Sequence, residues 1–140
     1  MSAPWLAVED VAVRFPIRRG LLARVRGHVH ALDGVSFTLE RGETLGLAGE
    51  SGCGKTTLGR VLAGLERPTS GVVRLNGDIL FAPGRRVPLT KEQRRRIQVV
   101  FQDPQTSLNP RLTICDLLTE GLVEHRLLGD ETREAAAIRL

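Results

Sequence analysis

Residues 49–56, Gly-Glu-Ser-Gly-Cys-Gly-Lys-Thr, fit the spacing G-x-x-x-x-G-K-[ST]. The chemistry such residues do together is anion capture. Gly49, Gly52 and Gly54 let the backbone bend where a Cβ would block it. The N–H groups of the loop then converge on phosphate oxygens, aided by the positive end of the helix that follows. Lys55 supplies a cation for the β- and γ-phosphates, and the Thr56 hydroxyl a ligand for Mg²⁺. The residues expected to hold a nucleotide are therefore Gly49, Glu50, Ser51, Gly52, Cys53, Gly54, Lys55, Thr56 and Thr57. The bland alternative is a glycine-rich turn capping a helix. Within the loop, Cys53 is either a low-pKa thiol at a helix N-terminus or a small filler residue.

A second candidate lies downstream in IQVVFQDPQTSLNPRLT, residues 97–113. Gln102 ends a short apolar run and opens a polar loop. In a parallel α/β sheet the strand C-termini line the ligand crevice, so Gln102 and the loop at 49–56 could share one site. A neutral amide there could contact Mg²⁺ or position a water. Spacing alone leaves a plain polar loop residue equally open.

These residues need a frame. Leu6, Val8, Val11, Val13 and Phe15 alternate around Glu9–Asp10, which predicts a strand with a kink or bulge and a stop at Pro16. Residues 17–28 are basic and glycine-punctuated, which predicts an exposed loop. Val35, Phe37 and Leu39 predict a second strand closed by a turn at 40–43. The run 44–49 suits a strand buried on both faces, and 97–102 a second one. Leu58, Val61, Leu62 and Leu65 recur at helical spacing from Lys55, with Gly64 and Pro68 at the exit. Val72, Val73 and Leu75 lead through Asn76-Gly77, a hairpin turn, to Ile79–Phe81. Residues 82–90 predict a loop, and residues 90–96 a short helix with Thr90 as N-cap. Thr113 with Asp116 three residues on predicts a further helix start, and Asp130 is the expected cap of a last helix.

Composition narrows the classes. The chain has 140 residues, 41% of them apolar, with formal charge +4. No stretch approaches the ~20 apolar residues of a membrane span, and the first ten residues show no secretory leader pattern. Two cysteines, Cys53 and Cys115, are too few for a disulfide scaffold or a zinc site, which points to a reducing compartment. The charge is uneven: residues 1–30 carry five arginines against Glu9 and Asp10, and residues 81–111 seven basic residues against Glu92 and Asp103. Nucleic-acid binding through Arg85, Arg86, Arg94, Arg95 and Arg96 lacks a stacking platform and is not expected.

The stretches 31–73 and 94–113 resemble the N-terminal part of an ABC transporter ATP-binding subunit, of the oligopeptide/dipeptide importer group. The resemblance covers nearly all of residues 5–140. It implies an α/β fold: a P-loop NTPase core with an antiparallel β subdomain, C-terminally incomplete, with residues 1–140 forming one partial ATP-binding domain. It implies ATP and Mg²⁺ as ligands. It makes Gln102 the Q-loop glutamine, a catalytic contact to magnesium and water. It puts Phe15 where the family has an aromatic stacked on adenine; packing in the first strand is the alternative. The partners implied are transmembrane permease subunits and a second ATP-binding subunit, on the cytoplasmic face of the membrane. The family's signature motif, catalytic glutamate, D-loop and switch histidine are not in the sequence; His28, His30 and His125 do not match that histidine. The chain is accordingly expected to bind ATP without efficient turnover, and a non-hydrolysing nucleotide-binding or interaction module is the alternative function.

Overall fold

In the computed structural model, residues 3–19, 24–84, 89–101, 103 and 108–140 are described. Two units divide the chain, 1–94 and 95–140.

The first unit is built on four antiparallel strands: β1 (Leu6–Arg19), β2 (Arg24–Leu39), β3 (Ser70–Leu75) and β4 (Asp78–Phe81), in the order β2-β1-β3-β4. Alternation sets one face inward, and Val8, Val11, Val13 and Val73 are buried there with Leu32 and Leu80. The kink expected at Glu9–Asp10 is present: the β1–β2 register shifts between Val8 and Val11, and Asp10 has φ 49°. The Asp10 N–H donates to the Ser36 hydroxyl at 2.8 Å, so the bulged backbone keeps a partner. Asn76 and Gly77 both take positive φ, as a tight two-residue hairpin requires. The turn at 40–43 also forms, with the Glu43 N–H on the Glu40 carbonyl at 3.2 Å.

Helix α1 (Lys55–Leu62) buries Leu58 and Val61 and ends before Gly64, which has φ 74°. Helix α2 (Lys91–Arg95) starts at Thr90 as expected. Thr90 and Gln93 cap each other, the Gln93 N–H donating to the Thr90 hydroxyl at 3.1 Å and the Thr90 N–H to Gln93 Oε1 at 3.0 Å.

Five expectations need correction, the last of them the cap of the final helix. The basic segment 17–28 is no simple loop: β1 runs on to Arg19 and β2 begins at Arg24, because Ile17, Val25 and Val29 continue the alternation. Pro16 does not stop β1. It lies opposite His28, beyond Ala12, the last β1 residue to pair with β3, so its missing N–H breaks no bond to that strand. The apolar runs 44–49 and 97–101 are not strands, and Leu45, Leu47, Val99 and Phe101 are exposed. A strand buried on both faces requires strands at its sides and layers above and below. Among the described residues neither run has a strand partner.

The second unit holds α3 (Ile114–Glu124) and α4 (Arg133–Arg139). The Asp116 N–H donates to the Thr113 hydroxyl at 3.1 Å and the Thr113 N–H returns to Asp116 Oδ2 at 3.3 Å, closing the predicted capping box. Helix α4 is capped by Thr132 and not by Asp130: the Thr132 hydroxyl accepts from the Ala135 N–H at 3.2 Å, the residue three positions on. Arg133 ties the two helices, from Nε to the buried Thr119 hydroxyl at 3.1 Å and from Nη2 to Asp116 at 3.0 Å.

Candidate functional site

The chain leaves β2, turns at 40–43, and reaches α1 through the loop 49–54. Gly54 is the residue that lets the loop lie against the sheet. It has φ 99°, and a Cβ there would meet the Ala31 carbonyl oxygen at 2.5 Å and Leu32 Cδ2 at 2.8 Å. Gly49 faces a similar limit within the loop, where a Cβ would lie 2.7 Å from Cys53 Sγ. Glycine at these two positions is thus a matter of space as well as φ.

Lys55 is the first residue of α1. Its ammonium donates to the carbonyls of Gly49 at 2.7 Å and Glu50 at 2.6 Å, with Cys53 Sγ at a longer 3.5 Å. An ammonium has three N–H donors, so two hold the rim of the loop and fix the charge above it. The first turn of α1 contains no acidic residue, so the positive end of the helix is not offset locally.

A cleft of about 340 Å³ opens at this loop. Ser51, Gly52, Gly54, Lys55, Thr56 and Thr57 line one side and Val29, His30 and Ala31 of β2 the other. The structure thus brings together six of the predicted loop residues. Gly49 and Glu50 contribute through their carbonyls to Lys55, and Cys53 flanks the same ammonium. Phe15 is not among the lining residues. It pairs in register with Val29, which is, and at 39% exposure it is not packed into the core of β1. Gln102 lies outside the described residues.

Sequence reasoning missed Val29, His30 and Ala31. The signal was the strand-like spacing of Val25 and Val29, obscured by the arginines around them.

The donor set suits a polyphosphate with a divalent cation: a glycine-built concavity, one fixed cation, a free helix end, and the Thr56 and Thr57 hydroxyls. A larger cleft of about 730 Å³ in the second unit has the opposite character. Asp116, Glu120 and Glu124 line it with Arg133 and His125. The hydrogen bond from the Thr113 hydroxyl, then that from its backbone N–H, then the charge of Arg133 hold the Asp116 carboxyl below its ordinary value of 3.8. Three carboxylates against one arginine make this cleft acidic, where the loop presents a lysine and a helix N-terminus. Among the described residues no cluster of three or more His, Cys, Asp or Glu could hold a metal ion.

An anion-cradling loop leading into a helix, set against an antiparallel sheet, defines a P-loop nucleotide-binding architecture. The model of one family, described as ABC transporter, matches residues 32–139, and the chain belongs to that family. It is 47% identical over 122 residues to the oligopeptide transport ATP-binding protein AppF of Bacillus subtilis, covering 87% of this chain and 37% of AppF. It is 42% identical over 140 residues to the dipeptide transport ATP-binding protein DppF of Escherichia coli, covering 100% of this chain and 41% of DppF. Identity to the glutathione import ATP-binding protein GsiA of Escherichia coli is 48% over 136 residues, covering 96% of this chain and 21% of GsiA. The chain therefore spans about two-fifths or less of these relatives. The ATP-binding cassette MJ0796, solved as a dimer bound to ADP and Pi, shares the fold, with TM-score 0.71 and 23% identity over 96% of this chain and 53% of that one. Within the family, the chain is similar to ATP-binding subunits of the oligopeptide, dipeptide and glutathione importer group. No helix among the described residues is long and apolar enough to cross a membrane.

Proposed function

We propose that this chain is the ATP-binding part of an importer subunit, coupling ATP binding and hydrolysis to uptake of short peptides. The observation that carries the reading is Lys55, fixed by two loop carbonyls at the mouth of a cleft lined by Thr56 and Thr57. In this reading Lys55 and the loop N–H groups of residues 50–55 hold the phosphates. Phe15 and its register partner Val29 take the adenine. Thr56 and Gln102 hold Mg²⁺, which when bound offsets the charge of the phosphates. Gln102 also positions water. A second ATP-binding subunit and transmembrane permease subunits complete the transporter, with this chain peripheral on the cytoplasmic face. The peptide class rests on the likeness to the oligopeptide and dipeptide transport proteins named above.

The expected result is that Lys55→Ala lowers affinity for Mg-ATP about a hundredfold in calorimetry, since it removes a charge-assisted contact of about 3 kcal/mol. Unchanged affinity would refute the reading.

A further inference from the structure

Strand β1 has two neighbours along its first part and one along the rest. Its pairing with β3 ends at Ala12 opposite Ser70, whereas its pairing with β2 continues through Phe15 opposite Val29. Burial changes at the same point. Val13 and its register partner Leu32 belong to the core, but Phe15 is 39% exposed and Val29 52%. The register also shifts between Val13 and Arg14, which leaves Ala31 as an extra residue on β2. Phe15 and Val29 therefore stand on a two-stranded ribbon beyond a bulge, and such a ribbon is marginal by itself. Its direction has to be set at the root.

Thr69, the residue before β3, lies at that root. Its N–H donates to the Ala12 carbonyl at 2.7 Å, and its hydroxyl accepts from the Arg14 N–H at 2.8 Å. The first contact is an ordinary step of strand pairing. In the second, a side-chain oxygen stands where a β3 carbonyl would, and it carries the tether on to Arg14. Backbone N–H groups of a strand point alternately to its two sides, so the next one on this side would belong to residue 16. Residue 16 is proline and has none. No N–H at that position can take over the tether. Arg14 immediately precedes Phe15, so the hydroxyl holds the backbone one residue from the ring.

We propose that Thr69 is a positioning residue for the nucleotide base. It does not line the cleft. It acts through the Arg14 N–H on Phe15, whose register partner Val29 does line it. The inference rests on the reading in which Phe15 and Val29 take the adenine. Serine at 69 keeps the hydroxyl, whereas valine keeps only the branched shape. The two substitutions therefore separate the tether from packing.

Calorimetry of the whole chain with Mg-ATP and with Mg-tripolyphosphate tests it. Thr69→Val is expected to weaken Mg-ATP about threefold, the scale of one neutral hydrogen bond, and to leave tripolyphosphate affinity unchanged. Thr69→Ser restores the parent affinity for ATP. In a Phe15→Ala background Thr69→Val has no further effect, because the ring it positions is gone. The Thr69–Arg14 bond is exposed, so water replaces the lost hydroxyl, and equal thermal midpoints show that the variants are folded. Should Thr69→Val not fold, the parent gives the readout: exchange of the Arg14 amide slows with Mg-ATP and not with tripolyphosphate. Parent-like ATP affinity in Thr69→Val, equal loss for both ligands, additive loss in the double variant, or Arg14 exchange indifferent to ATP would each overturn the proposal and leave the phosphate site standing. A parent chain that binds ATP no better than tripolyphosphate would overturn the base reading and this inference together.

Discussion

Val11 and Val100 are the same residue, each in a stretch of sequence that reads as a strand, yet Val11 is 0% exposed and Val100 is 96% exposed. Val11 lies in β1, with β2 on one side and β3 on the other. Val100 lies in the run 97–101, which has no strand beside it among the described residues. The difference teaches that an apolar run does not make a strand; lateral partners do. The same contrast separates β1 from the run 44–49 that leads into the phosphate loop.

The largest expected effect tests that contrast directly. Val11→Asp buries an unpaired charge and costs about 4 kcal/mol or more, whereas Val100→Asp changes stability by about 0.5 kcal/mol or less. Urea unfolding midpoints measure both, and a large loss for Val100→Asp would break the comparison. Next comes the loop. Gly54→Ala pushes a Cβ into the Ala31 carbonyl at positive φ and should cost about 2 kcal/mol while disabling nucleotide binding. Gly52→Ala, with φ 82° but nothing within 4 Å of its Cβ, should cost about 1 kcal/mol. Equal costs would show that space at Gly54 is irrelevant.

Smaller effects sharpen the picture. Phe15→Ala should weaken ATP binding about fivefold, as loss of one stacking contact of about 1 kcal/mol, and leave tripolyphosphate binding unchanged. Equal loss for both ligands would remove Phe15 from the base site. In the second unit, Asp116 is more acidic in the folded chain than its ordinary value of 3.8. The folded form therefore favours the carboxylate: its contribution is complete above about pH 4 and fades as pH falls through the lower, folded value. Asp116→Asn should flatten that acid limb in helical circular dichroism, and an identical acid limb would contradict the assignment.

The loop at 49–56 was legible because phosphate chemistry dictates its residue types and spacing. The bulge at Glu9–Asp10, the Asn76-Gly77 turn and the caps at Thr90 and Thr113 were legible because each is a local requirement of the backbone. The extension of β1 and β2 beyond Pro16 was not, since the arginines hide the spacing of Val25 and Val29. The β2 wall of the cleft was not either. It lies about twenty positions before the loop, and their meeting depends on the turn at 40–43 and on the close approach at Gly54. The runs 44–49 and 97–101 were misjudged because composition says that a segment could be buried and not what would bury it. Residue type makes Asp130 a cap, but the geometry turns on which oxygen reaches the N–H three residues on, and that oxygen is on Thr132.

The two clefts offer the most direct test of the central claim that the glycine loop, and not the larger acidic cleft, receives the nucleotide. Amide hydrogen exchange with and without Mg-ATP reads both at once. The expected result is slowed exchange at residues 29–31 and 50–57, with no change at 112–125. Protection confined to the helices that line the acidic cleft, with none at the loop, would contradict it.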